Sequence, residues 1–63
     1  MTLEPCLNTP LSWARTGQGE FPYAAGNWLI RINDFPAEPM YTLLVDNREI
    51  GDFDDWPPCW IKP

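Results

Sequence analysis

The sequence predicts a small all-β domain, a three-stranded antiparallel meander with irregular N- and C-terminal segments packed on it. Trp28, Ile30 and Ile32 alternate with Leu29, Arg31 and Asn33, the period of two that a half-buried strand requires. Of the eight prolines, only Pro36 and Pro39 fall between Ala24 and Asp55, so ladders are free to run on either side of that pair. Asp46-Asn47 separates two strand-like runs by two residues that tolerate positive φ, as a tight hairpin demands.

Taken in chain order, residues 9–17 fit two descriptions. Thr9 as N-cap, Pro10 at the first helical position and Gly17 as a stop spell a short helix. A fourth strand around Leu11 to Arg15, turning at Thr16-Gly17-Gln18-Gly19 and returning through Glu20-Phe21, fits equally well, because so short a run does not define a period. Either way Leu11, Trp13, Phe21 and Tyr23 are expected to cover one face of the meander. Trp28–Asn33 forms the first strand, Asp34–Pro39 the loop, and Met40–Val45, apolar on both faces, the central strand. Arg48–Phe53 returns as an edge, marked by its charges and Gly51. From Trp56 to Pro63 the chain is too rich in proline for a ladder and is expected to lie extended along the surface, with Trp56 and Trp60 packing back. The expected core is Trp28, Ile30, Ile32, Leu43, Val45 and Ile50.

With 63 residues, of which 44% are apolar and nine aromatic, the chain fits one domain, residues 1–63, and is not a disordered tail. Nine acidic against four basic side chains leave a net charge of −5, which argues against nucleic-acid phosphates or an anionic membrane as partners. Histidine is absent, removing Ser-His and Cys-His nucleophiles and His-ligated zinc. No basic start followed by an apolar run, and no stretch of roughly 20 apolar residues, marks a signal peptide or a membrane span, so the cytoplasm is the expected location. Cys6 and Cys59 lie too far apart in sequence for CxxC chemistry. They are expected as free thiols in a reducing compartment, a disulfide between the chain ends being the alternative.

Glu49, Asp52, Asp54 and Asp55 form the densest acidic run. It does not hold a calcium-loop pattern: Asp46 and Gly51 are spaced for one, but Arg48 and Ile50 replace oxygen ligands and Pro57 stands where the closing Glu belongs. No metal, cofactor or catalytic constellation is expected, and so small a domain leaves little room for a pocket of roughly 300 Å³ or more. The run lies beside Phe53, Trp56 and Trp60, and carboxylates among aromatics suit a protein interface. Glu49, Asp52, Asp54, Asp55, Trp56 and Trp60 are therefore the candidate partner-binding residues, and the expected partner is another protein with a basic surface. The expected function is that of a small acidic protein-binding module, such as an inhibitor or toxin-neutralising partner. A structural or accessory module is the alternative, and an enzyme comes third. Ile30→Asp is expected to abolish cooperative thermal unfolding, because an unpaired charge in so small a core costs several kcal/mol against a margin of similar size.

Overall fold

Period-two alternation and tight turns build most of this molecule, and the pairing partners then decide what the ambiguous segments become. The computed structural model of the chain describes residues 1–63. A short helix, α1 (Leu3–Leu7), is followed by strands β1 (Leu11–Ser12), β2 (Ala14–Arg15), β3 (Tyr23–Ala25), β4 (Trp28–Ile32), β5 (Tyr41–Val45), β6 (Arg48–Phe53) and β7 (Trp60–Ile61). Strands β2 to β6 make one five-stranded antiparallel sheet in chain order, while β1 and β7 pair in parallel as a separate two-stranded sheet. The three-stranded meander is thereby overturned. Its strands are present as β4, β5 and β6, but β3 and β2 extend the sheet beyond Trp28.

Two hairpins set the register. Asp46 and Asn47 take φ of 53° and 65°, the doubly left-handed pattern of a type I′ turn, and close β5 onto β6 with Val45 opposite Arg48. Gly26, at φ 62°, opens an equally short turn with Asn27 that closes β3 onto β4. The two turns lie side by side, since the Asp46 N–H donates to the Asn27 carbonyl (3.2 Å) and Asn27 Nδ2 donates to Asp46 Oδ1 (2.6 Å).

At the N-terminus, no helix forms over residues 9–17, and the single fourth strand around Leu11 to Arg15 is corrected too: it breaks at Trp13 into β1 and β2, which belong to different sheets, while the helix lies earlier, at Leu3–Leu7. The capping chemistry of Thr9 is used at the end of α1 instead, where its Oγ1 donates to the Pro5 carbonyl (2.9 Å) and Asn8 Nδ2 donates to that of Glu4 (3.1 Å). Leu11 and Trp13 send their N–H groups to the carbonyls of Cys59 (3.3 Å) and Ile61 (3.0 Å), so long-range pairing outweighs the local helix signal. The returning strand is Tyr23–Ala25 rather than Glu20-Phe21, with the Thr16 N–H bonded to the Pro22 carbonyl across the turn. The C-terminal segment is corrected as well: it makes a short ladder with β1, and Trp60 is core. Prolines do not prevent this, because in both bonds the tail contributes carbonyls, which proline-rich chain retains.

The core lies on one face of the large sheet. Tyr23, Ile30, Leu43 and Gly51 form one cross-strand row, Ala25, Trp28, Val45 and Arg48 a second, and Ile32, Tyr41 and Phe53 a third. Helix α1 and the β1–β7 pair cover this face, burying Cys6, Trp13, Ile30, Tyr41, Leu43, Val45, Phe53 and Trp60 together. Of the expected core, Ile30, Leu43 and Val45 are buried, while Trp28 and Ile50 pack half-buried against the cluster. Ile32 does not belong to it and is 42% exposed. The reason is register: the ladder with β3 stops at Tyr23 opposite Ile30, and beyond it only the Glu20 carbonyl reaches Ile32, accepting its N–H at 3.3 Å. No helix is long and apolar enough to cross a membrane.

Helix α1 meets the sheet at Gly51, where a Cβ would stand 2.9 Å from Leu3 Cδ2 and 3.0 Å from its Cβ. The Leu3 Cβ is fixed to the helix backbone and cannot swing aside. Gly51→Ala is therefore expected to lower unfolding stability by about 1–3 kcal/mol, the range for overpacking, in a urea titration.

Candidate protein-binding surface

Alternation that sends Ile30 and Leu43 inward sends their neighbours to the opposite face of the sheet. Ala14, Ala24, Leu29, Leu44 and Glu49 form one cross-strand row there, with Arg31, Thr42 and Asp52 beside it. None of these belongs to the hydrophobic cluster, although Leu44 is buried along with Thr42, whereas Ala14, Glu49 and Asp52 are exposed. A β-bulge keeps both carboxylates on this side. Leu43 pairs with Gly51 and Leu44 with Glu49, leaving Ile50 as the extra residue, so Glu49 and Asp52 face the same way although three positions apart.

The hub of this face is Thr42, which is fully buried. Its hydroxyl donates to Asp52 Oδ1 (2.6 Å) and accepts from Asn33 Nδ2 (2.7 Å) and, more loosely, Arg31 Nη2 (3.4 Å). The same Arg31 nitrogen reaches Glu49 Oε1 at 3.1 Å, while Nε donates to Asn33 Oδ1 at 3.1 Å. Every hydrogen-bonding direction of the hydroxyl is thus used, as burial requires. Arg31 of β4 thus reaches across β5 to pair with a carboxylate of β6. Thr42 and Asn33 are functional-looking residues that sequence reasoning missed, and the available signal was a lone Thr inside an otherwise apolar central strand.

The six candidate residues divide between this face, its margin and the core. Glu49 and Asp52 share the open face. Asp54 lies just past the end of β6 and accepts the Met40 N–H (2.9 Å), and Asp55 follows, exposed. Trp56 and Trp60 belong to the opposite side. Trp60 is buried, and Trp56 is half-buried among the rings of Trp13, Tyr23, Tyr41 and Trp60, its indole N–H donating to the Trp60 carbonyl (3.0 Å). Carboxylates and indoles are therefore not interleaved on one surface. The only ion pair in the molecule is Arg31–Glu49, so Asp52, Asp54 and Asp55 have no cation within 4.0 Å.

One groove of about 560 Å³, open to solvent and larger than the size of the chain suggests, runs between Met1 and the β5–β6 turn. Val45 and Ile50 line it together with Asp46, Arg48 and Glu49. No group of three or more Cys, Asp or Glu side chains is gathered as a metal site. Cys6 and Cys59 are both free thiols, their S–H groups directed at the carbonyls of Thr2 (3.2 Å) and Leu7 (3.1 Å). No family model matches the chain, and neither a curated protein nor a solved structure is found to be similar to it.

The two kinds of polar contact on the open face differ in expected weight. Thr42→Val, close in shape, removes the buried hydroxyl that bonds Asn33 and Asp52 and is expected to cost about 1 kcal/mol or slightly more in a denaturant titration, because one of the lost partners is a charged carboxylate. Glu49→Gln removes only a half-exposed ion pair, and the same titration is expected to register a loss of about 1 kcal/mol or less.

Proposed function

We propose that the protein is a small acidic protein-binding module that works in the cytoplasm and engages the basic surface of another protein, as an inhibitor or a toxin-neutralising partner does. One observation carries this reading: Asp52, Asp54 and Asp55 are exposed at the end of an edge strand, and none of them is ion-paired within the chain. Uncompensated carboxylates raise the encounter rate with a cationic surface and set the orientation of docking. The neighbouring open face supplies Leu29, Ala24 and Ala14 as an apolar floor. The net charge of −5 favours neither nucleic acid nor an anionic membrane as the target.

A structural or accessory module whose charge serves only to keep it dispersed is the second reading, favoured by the bonds that Glu49 and Asp52 already make within the chain. Charge reversal separates the two. Capture from a cell extract at low salt is expected to recover one basic protein with the wild type, and raising the salt is expected to weaken that capture. Asp54→Lys with Asp55→Lys, circular dichroism unchanged, is expected to lose it through slowed association. Undiminished capture by the double variant, with the same salt dependence, would leave only the accessory reading.

A further inference from the structure

The carboxylates of β6 border a strand edge whose backbone is unpaired. Asp46 N–H bonds the Asn27 carbonyl (3.2 Å) and Asn33 N–H bonds that of Met40 (2.9 Å), so the even-numbered positions along β5 face β4. Tyr41, Leu43 and Val45 consequently turn their peptide groups toward β6, opposite Phe53, Gly51 and Arg48. Apart from the bulged Ile50, the positions left over are Glu49 and Asp52, whose N–H and C=O groups point away from the sheet. No backbone hydrogen bond outside the regular elements involves residues 47–55. The opposite edge of the sheet, β2, is only two residues long, whereas β6 has six.

The geometry points to β6 as the docking edge for an extended, cationic segment of a partner protein, added to the sheet as a further antiparallel strand. The inference rests on the acidic-binding reading above and adds to it the mode of binding and the pattern of the ligand. Residues directly opposite one another in an antiparallel pair share a face. Partner residues opposite Glu49 and Asp52 therefore stand two apart on the open side, where Lys or Arg would meet a carboxylate at each. The residue between them falls on the other side, toward the mixed groove in which Met1, Val45 and Ile50 supply the apolar part and Asp46, Arg48 and Glu49 the charged part. An alternation of basic and apolar residues is thus the matching pattern.

The same edge discriminates against a second copy of itself. Edge-to-edge pairing of two β6 strands brings Glu49 and Asp52 of one chain to the same face as those of the other, where Arg31 is already engaged and Arg48 lies in the row of the opposite face. Like charges across a strand pair repel, and a bulge breaks the flat register that self-pairing needs. A cationic strand encounters attraction at the positions where a second copy encounters repulsion, which is how one edge acquires specificity.

Three short peptides test the inference against the unmodified protein: one alternating lysine and valine, one with glutamate in place of lysine, and one retaining lysine but N-methylated on the backbone nitrogens that would face β6. The lysine–valine peptide is expected to slow hydrogen exchange at the Glu49 and Asp52 amides. Each of the other two is expected to bind at least about tenfold more weakly, the loss that removing two cross-strand charge pairs or the backbone bonds implies. Equal binding by the N-methylated peptide, or amides at Glu49 and Asp52 that exchange as in the free protein, would overturn strand addition and leave the acidic-surface reading standing. That reading fails separately, on the capture experiment with the charge-reversed variant. Exchange slowed by protein concentration alone, without peptide, would replace the partner with a second copy and overturn the inference.

Discussion

The contact on which the rest of the fold depends is the packing of Trp60 into the centre of an aromatic cluster. Its ring lies 4.9 Å from that of Trp13, 5.4 Å from that of Trp56 and 5.5 Å from that of Phe53, and its indole N–H donates to the Cys6 carbonyl at 3.2 Å. One side chain therefore joins α1, the β1–β7 pair and the large sheet. Trp56 extends the cluster to Tyr23 and Tyr41, and Lys62 lies over its outer face at 5.3 Å. A sheet of this size cannot bury its own apolar side, and tilted and edge-to-face rings supply a large contact area with few residues. The concentration of aromatics on one side of the sheet is also what frees the other side. Polar residues can occupy that side because it is not asked to hold the layers together.

Legibility followed the range of the interactions. The hairpin at Asp46-Asn47, the spans of β4 and β6 and the burial of Ile30, Leu43 and Val45 are local matters of alternation and turn chemistry, and they could be read directly from the residues. Gly26-Asn27 carries a similar turn signal, yet the strand before it was overlooked because Ala24 and Ala25 have little strand preference of their own and Pro22 stands close by. The β1–β7 ladder was not legible at all. It joins Leu11 to Trp60, and no local pattern announces a two-residue parallel pairing across nearly the whole chain. The error in the core has the same origin: Ile32 satisfies the period, but its exposure depends on where β3 stops.

For the candidate surface, the sequence identified the carboxylates and misjudged their company. Glu49 and Asp52 share the open face and Asp54 and Asp55 follow, exposed, past the end of β6, but Trp56 and Trp60 turn to the other side of the sheet. Adjacency in sequence overstates adjacency on a surface wherever a strand ends, because the chain beyond Phe53 leaves the sheet and crosses to the core. The bulge at Ile50 works in the opposite sense. It brings onto one face two carboxylates that strict alternation would have placed on opposite faces.

The parallel pairing of β1 with β7 also bears on how the molecule assembles. Both tight hairpins close over two residues, whereas the contact between Leu11 and Trp60 closes a loop that contains the entire large sheet. Chain entropy favours the short closures first, so the hairpins are in place before the two ends of the chain find one another. The aromatic cluster is then completed last, by a latch rather than by a collapsing nucleus. Unlatching α1 and β7 would expose the indoles of Trp56 and Trp60 and uncover Ile30, Leu43 and Val45 as well, so the last contact to close is one that the earlier pairings need in order to persist.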